Sequence, residues 1–291
     1  MDNISSAPLF ETEYGHFSPD GNEYIIKTPR TPKPWVNVIS NGDYGIVISQ
    51  AGGGFSWKTH SEFNRITRWH QDLIRDDWGK YIYIKNNQTG KVWSPTWMPV
   101  KQDLSFYECR FGFGYAAFIT EFEKINVTLT LFAAKDNAEI WDLSVKNNSE
   151  GEVSLSFYNY FEWTLGSSAD HHREFHRTFI ETKIDTEHNA IIAGKSLWDI
   201  PLGDRGHWNT EYPYKGFFAC SKKASSFECD KEAFLGQYGS IQYPLAVSIG
   251  KLTNTCGKGH DPIASLKIDI TLRAGSSERF SYILGLSEDE N

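Results

Sequence analysis

The segment 162–180 concentrates the side chains best equipped for chemistry. It carries Glu162, Asp170, His171, His172, Arg173, Glu174, His176 and Arg177, with Trp163, Phe175 and Phe179 among them. A site that holds a sugar must offer paired donors and acceptors to hydroxyls, beside a ring that covers the apolar C–H face. Arginine suits that work because its guanidinium is a rigid fork of donors. The bland alternative is a solvated loop with an internal salt bridge, since charged loops are common. A metal is a further reading, because His172 and His176 are four residues apart. On a helix that spacing stacks two imidazoles. The flanking residues read as strand, however, no H-E-x-x-H is present, and no third ligand is evident.

A second cluster, 50–69, contains Gly52-Gly53-Gly54. A glycine triplet cradles phosphate when a helix follows or when it sits in a G-x-x-x-x-G-K-S frame. Here Phe55-Ser56-Trp57 follows and reads as strand, so a bulge or close sheet packing is the favoured reading. Arg65, Arg68, Trp69 and His70 come next, then a charged loop over 72–80, and Trp93-Ser94-Pro95-Thr96-Trp97 adds a third aromatic edge. Such polar and aromatic surfaces fit carbohydrate better than protein or DNA. Breaking a glycosidic bond takes two acids, or one acid and a phosphate nucleophile. Glu162, Asp170 and Glu174 are candidates, but no spacing singles out a pair. Nucleophile elbow, P-loop and dinucleotide-binding glycine signatures are all missing from the sequence.

The elements that must position these groups are strands. Ile125, Val127, Leu129 and Leu131 alternate with Asn126, Thr128 and Thr130. Val153, Leu155, Phe157 and Phe161 alternate with Ser154, Ser156, Tyr158 and Tyr160, and Ala264 to Leu272 alternates with Ser265, Lys267, Asp269 and Thr271. Each segment puts one face on a core and the other toward solvent or a second layer. Shorter strand-like runs lie at 80–84, 139–145, 179–184, 216–221 and 280–286. Asn86-Asn87-Gln88-Thr89-Gly90 reads as a hairpin loop, and 147–151 and 273–276 read the same way. Helical periodicity is nearly absent, with a turn or two expected over 231–238. The prediction is an all-β chain: a large antiparallel two-sheet β-sandwich with few short helices. Residues 1–12 are expected to form a loose tail and 13–287 a single domain.

The chain has 291 residues and a net charge of −8, with no long basic run, which argues against nucleic acid or an anionic membrane as partner. No window approaches the roughly 18 apolar residues of a membrane span. The opening residues carry acid rather than base and resemble no signal peptide. Cys109, Cys220, Cys229 and Cys256 are scattered, with no C-x-x-C, and read as reduced thiols of a cytoplasmic protein. The 10 Trp, 14 Tyr and 19 Phe are enough to build a large core and leave rings for a binding surface.

Several ordered blocks resemble the opening of the glycoside hydrolase family 94 phosphorylases, formerly glycosyltransferase family 36. They are Tyr14-Gly15-His16-Phe17, Glu23-Tyr24-Ile25-Ile26, Thr31-Pro32-Lys33-Pro34-Trp35-Val36-Asn37 and Ser49-Gln50-Ala51-Gly52-Gly53-Gly54-Phe55-Ser56-Trp57. The similarity continues through Arg65-Ile66-Thr67-Arg68, Val92-Trp93-Ser94-Pro95, Tyr107-Glu108-Cys109-Arg110-Phe111-Gly112-Phe113-Gly114-Tyr115, Phe234-Leu235-Gly236 and Asp261-Pro262-Ile263-Ala264. It covers nearly the whole chain from Tyr14 onward.

The resemblance implies a β-supersandwich of the galactose-mutarotase-like kind, placed before a helical linker and an (α/α)₆ barrel. Family members reversibly split a β-glucoside with inorganic phosphate, which is a co-substrate and not a cofactor, and invert the anomeric centre. The catalytic acid belongs to the barrel, so the resemblance implies that the barrel and that acid are absent from these 291 residues. The sandwich of cellobiose-type members lends an arginine from an Asn-Phe-Gln-Arg-Asn segment to the acceptor (+1) subsite. Glu174-Phe175-His176-Arg177-Thr178 matches that stretch, which makes Arg177 the expected sugar contact, with Glu174, Phe175, His176 and Trp163 around it. His176 and Thr178 depart from the pattern and argue against cellobiose itself. Arg68 and Trp69 are further candidates, since the family's sandwich helps form a homodimer and can lend loops to the neighbouring site. The expected role is therefore an acceptor-shaping and dimerisation domain that binds a β-linked gluco-oligosaccharide and works with a catalytic domain in cis or in trans. The alternatives are a free-standing carbohydrate-binding module and a self-sufficient hydrolase using Glu162 or Glu174.

Overall fold

Strand alternation governs the architecture. A computed structural model describes residues 8–167, 174–201 and 207–288. In chain order the strands are β1 (Gly15–Phe17), β2 (Glu23–Ile26), β3 (Val36–Ser40), β4 (Tyr44–Ser49), β5 (Gly54–Lys58), β6 (Arg65–Thr67), β7 (Tyr81–Asn86), β8 (Val92–Trp93), β9 (Phe106–Gly112), β10 (Tyr115–Phe122) and β11 (Ile125–Ala133). They continue as β12 (Ala138–Asn147), β13 (Val153–Gly166), β14 (Ile180–Asp185), β15 (Ala190–Lys195), β16 (Trp198–Pro201), β17 (His207–Thr210), β18 (Lys215–Cys220), β19 (Ser226–Asp230), β20 (Pro262–Leu272) and β21 (Ser277–Ser287). Among the described residues, helix is confined to a 3₁₀ turn at Glu174–Phe179 and to α1 (Lys231–Leu235) and α2 (Leu245–Ile249). None of these is long and apolar enough to cross a membrane.

The strands form two large antiparallel sheets. One has ten strands in the order β1-β2-β9-β10-β11-β12-β21-β18-β15-β14. The other has nine, in the order β19-β20-β13-β6-β5-β4-β3, with β7 paired to β13 and β8 to β7. Inward residues of both sheets interdigitate in a core that includes Trp93, Trp141, Trp163, Phe118, Phe157, Phe161 and Tyr282. The expected two-sheet sandwich is therefore present.

Turn chemistry is resolved differently at each predicted loop. The 86–90 loop is the expected hairpin between β7 and β8. The Asn86 side chain accepts from the Gln88 and Thr89 amides, and Gly90 takes a φ of 72°. The 147–151 and 273–276 loops are not hairpins, because each carries the chain from one sheet to the other: β12 to β13, and β20 to β21. Asn147 ties the two crossings together. Its amide donates to the carbonyls of Gly151, Leu272 and Arg273, and its backbone pairs with Gly275 and Ser276. Part of the expected N-terminal tail, residues 1–7, lies outside the described residues. Leu9 already pairs with Phe17 through two backbone hydrogen bonds.

The outer face of β13 is not solvated. From Leu155 onward every residue of this strand is buried. Tyr158 and Tyr160 join Tyr81, Tyr83, Phe234, Leu235, Ala246, Val247 and Ile263 in a second apolar cluster, roofed by α1 and α2. The turn expected over 231–238 is α1. Asp230 caps it by accepting from the Glu232 amide, and Gly236 (φ 85°) ends it. The alternation at 153–161 thus separates two faces, one that includes the apolar rings of Phe157 and Phe161, and one that carries the phenols of Tyr158 and Tyr160.

One charged pair crosses the main core. Lys80, just before β7, donates to Glu139 of β12 at 2.5 Å, and both side chains are 0% exposed. Glu139 also accepts from Trp141 Nε1 (2.6 Å), Ser56 Oγ (2.5 Å) and, at 3.3 Å, the Tyr44 hydroxyl, so both its oxygens are satisfied. Burial pushes the Lys80 pKa down, and only the Glu139 charge and hydrogen bond oppose this. All four cysteines are free, three of them buried.

Removing one partner of a buried pair leaves the other uncompensated, which costs about 3–5 kcal/mol. Lys80→Met is expected to destabilise the fold by that amount in urea denaturation. Lys80→Met with Glu139→Gln is expected to recover part of the loss, because the amide still accepts from Trp141 without a buried charge.

Candidate functional site

Four strand ends meet at one rim of the nine-stranded sheet. They belong to β6, β13, β20 and β19, and their register places Glu162 beside Ile263. The Arg68 amide, just past β6, donates to the Glu162 carbonyl at 2.8 Å, and the Lys231 amide donates to the Asp261 carbonyl at 3.0 Å. Backbone pairing therefore delivers Arg68, Glu162, Lys231 and Asp261 to one place. The 3₁₀ turn Glu174–Phe179 caps it from the side. Arg177 of that turn donates from Nε to the Trp163 carbonyl (3.0 Å) and from Nη2 to the Pro262 carbonyl (3.2 Å).

The side chains form a saturated ion cluster around Glu162, itself 5% exposed. One carboxylate oxygen accepts from Arg68 Nη1 and Arg177 Nη1, each at 2.8 Å. The other accepts from the Tyr160 hydroxyl (2.7 Å) and Lys231 Nζ (2.8 Å). Asp261 closes the ring, taking Arg177 Nη2 at 2.7 Å and Lys231 Nζ at 3.3 Å. Two carboxylates thus face three cations. Burial alone would raise the Glu162 pKa, but the charges of Arg177, Lys231 and Arg68 outweigh it and hold the carboxyl at about 2. A group so held is ionised at neutral pH and has no proton to give.

The cluster walls two cavities. One, of about 300 Å³, is lined by Glu162, Lys231, Trp78, Tyr160 and Asp77. The other, of about 610 Å³, is lined by Arg177, Phe175, Thr178, Asp230, Glu232 and His260. Arg68 lines both, its guanidinium lying 4.3 Å from the centre of the Trp78 ring. The larger cavity combines an exposed ring, Phe175 at 52%, with carboxylates and an imidazole at its rim. That combination can hold hydroxyl groups and an apolar face together.

Sequence candidates divide by their placement. Arg177, Arg68 and Phe175 all reach the larger cavity. Arg177 is almost wholly engaged, with its fork shared among Glu162, Asp261 and two carbonyls. His176 is buried and packs edge-on against Phe175 at 4.6 Å. Trp163 is 0% exposed and lies in the main core, edge-on to Phe161 at 4.8 Å, so its ring offers no face to a ligand. Its indole also fills the space a side chain at Gly216 would need. Trp69 lies near Phe55 (5.1 Å), with the Arg65 guanidinium over both rings, and lines neither cavity. Glu174 opens the 3₁₀ turn. Asp170, His171, His172 and Arg173 lie outside the described residues, and the His172–His176 metal reading falls there with them.

The glycine triplet packs closely, as a strand reading requires. A Cβ on Gly54 would lie 2.0 Å from the Val47 carbonyl oxygen, and one on Gly53 would lie 2.2 Å from the Asp76 carboxylate. Sequence reasoning missed Lys231, Asp261 and Trp78 as parts of the site. Each is distant in the chain from Glu162, and the only local sign was Asp230 as a helix cap beside Lys231.

Comparison with known proteins places this geometry among relatives. A family model described as "Glycosyl hydrolase 94, supersandwich domain" matches residues 22–291. The N,N'-diacetylchitobiose phosphorylase of Vibrio furnissii is 30% identical over 281 residues, covering 95% of this chain and 34% of that protein. The solabiose phosphorylase of Paenibacillus borealis is 27% identical, covering 94% of this chain and 35% of that protein. The cyclic beta-(1,2)-glucan synthase NdvB of Rhizobium meliloti is 28% identical, covering 95% of this chain and 9% of that protein. The chain therefore spans about a third of the length of the phosphorylases it matches.

The depressed Glu162 pKa is a stability statement with a fixed sign. A carboxylate whose folded pKa lies below its unfolded value stabilises the fold above the unfolded value and loses that contribution as pH falls. From the ordinary value of 4.5 down to about 2, the loss is about 3 kcal/mol, spread over that window. Thermal melts from pH 6 to pH 2 are expected to show it. Glu162→Gln is expected to melt lower at pH 6 and to be flatter below pH 4.5.

Proposed function

The chain belongs to the glycosyl hydrolase 94 family, and from that premise we propose that it is the carbohydrate-recognising supersandwich of an inverting β-glucoside phosphorylase. In this reading it forms the acceptor side of a sugar site, while the proton donor sits on an (α/α)₆ catalytic domain joined in cis or in trans. The glycosidic C–O bond breaks, the departing oxygen takes a proton from that donor, and an oxygen of inorganic phosphate bonds to the anomeric carbon from the opposite face. The observation that carries the reading is the state of Glu162. It is the carboxylate enclosed by the cluster, and it is held ionised by three cations, so it serves as an anchor and not as an acid. A domain whose central acid is locked in this way is suited to recognition.

Recognition falls to the larger cavity. Phe175 covers an apolar sugar face, and Asp230, Glu232 and His260 at the rim meet hydroxyls. Arg177 lines that cavity and is the proposed +1 contact. Its bonds to Glu162 and Asp261 fix the fork before any sugar arrives, so little ordering is left for binding. Arg68 on its Trp78 platform forms the wall shared with the second cavity. Homodimer formation is assigned to the same domain.

Two measurements test the proposal. Incubated alone with phosphate and a panel including N,N'-diacetylchitobiose, solabiose and β-1,2-, β-1,3- and β-1,4-linked glucose disaccharides, the chain is expected to release no sugar 1-phosphate. Release above a blank would place the proton donor within these residues and overturn the reading. In an enzyme that joins this domain to its catalytic domain, Phe175→Ala is expected to raise the acceptor KM about tenfold in the synthetic direction, with kcat little changed. An unchanged KM would remove the acceptor-side role.

A further inference from the structure

A second groove lies between residues 90–103 and the α1–α2 pair, adjoining the smaller cavity of the ion cluster at Leu235 and Gly239. Its cavity of about 730 Å³ falls in the range that encloses ligand-sized molecules. We propose that this groove binds a neutral oligosaccharide at a site separate from the one around Glu162.

The lining chemistry is the first support. The amides of Gln102 and Gln237 each offer donors and an acceptor, Gln242 adds its carbonyl oxygen and Asp103 its carboxylate as acceptors, and the Tyr243 ring is 72% exposed. Gln102 and Asp103 also line a smaller cavity of about 160 Å³ that contains Trp97 and Arg30. The two cavities thus meet across Gln102 and Asp103, with a ring beyond each side of them: Tyr243 in one, Trp97 in the other. Aromatic faces flanking a run of planar amides and a carboxylate match a chain of sugars, whose C–H faces and hydroxyl edges alternate in their demands.

Charge argues for a neutral ligand. Arg30 is paired with Asp103 at 3.2 Å and sits over the Trp97 ring at 5.7 Å. That leaves Lys101 as the other cation of the lining, against the several that a phosphate backbone needs.

The groove is also preformed at a cost to the backbone. Lys101 of its lining, Trp97 of the adjoining cavity and Tyr238, between the lining residues Gln237 and Gly239, hold φ values of 60°, 71° and 58°, a left-handed conformation that side chains rarely adopt. Non-glycine residues in that region cluster where a fold must present a particular surface. Here the local geometry is tied by a turn bond on one wall and by one bond between the walls. Lys101 donates to the Trp97 carbonyl at 2.8 Å, and the Gln242 amide donates to the Val100 carbonyl and to the Tyr243 hydroxyl, each at 3.2 Å. One glutamine thus joins both walls and orients the exposed ring.

The proposal does not rest on the phosphorylase reading, because binding here would persist if the chain had no catalytic partner. Calorimetric titration of the 291-residue chain with β-1,2-, β-1,3- and β-1,4-linked glucose tetrasaccharides and with an N-acetylglucosamine tetramer tests it. At least one is expected to saturate a site at this groove. Tyr243→Ala is expected to weaken that site at least about tenfold and Gln102→Ala at least about threefold. Both variants should keep the parent melting temperature, since Tyr243 is exposed and Gln102 sits at the groove surface. Phe175→Ala should leave the affinity unchanged. Absence of saturation with all four sugars overturns the proposal. So does affinity that survives both groove variants, or affinity lost only with Phe175→Ala.

Discussion

A single carboxylate with nowhere to go organises this end of the molecule. Glu162 sits on a strand buried on both faces, and an unpaired charge there would cost several kcal/mol. Its compensation comes from three separate segments: Arg68 after β6, Arg177 on the 3₁₀ turn and Lys231 at the start of α1. Satisfying one charge therefore fixes three loops against the sheet. The two cavities at this rim are the spaces those loops enclose, and Arg68 stands between them.

The same strand explains why the sandwich has more than one core. Its inward residues fill the space between the two sheets. Its outward tyrosines are roofed by α1 and α2, so the nine-stranded sheet carries a cluster on each face. The roof has consequences beyond packing. The short helices part the groove containing Tyr243 from the cluster around Glu162, and Leu235 and Gly239 line cavities on both sides. The two surfaces proposed to bind sugars thus share one small structural element.

Charge burial is handled in a similar way at two of the places where it occurs deep in the fold. Lys80 and Glu139 in the main core, like Glu162 at the rim, have their polar atoms met by a neighbour on the carboxylate's own strand, Trp141 or Tyr160, and by groups from other segments. Buried pairs of this kind add little net stability over apolar packing, but they penalise any register that separates them. Ser56 of β5 and Tyr44 of β4 belong to the sheet opposite β12, and the Glu139 carboxylate can reach both in only one arrangement of the sheets.

Much of this was legible in the chain itself. The alternating runs at 125–131, 153–161 and 264–272 lie within β11, β13 and β20, because a side-chain period of two leaves strand as the only element that buries every second residue. Asn86 to Gly90 specified its own hairpin through local hydrogen bonds. Arg177 could be singled out in the sequence, although the demands on its fork could not. Tertiary structure decided the rest: that Trp163 turns into the core and Phe175 out of it, that two apparent hairpin loops cross between sheets, and that Lys231 and Asp261 close on a carboxylate far away in the chain. The physical reason is range. Periodicity and turn chemistry act between residues a few positions apart, whereas compensation of a buried charge acts through space and draws on whichever strand ends the sheet brings together.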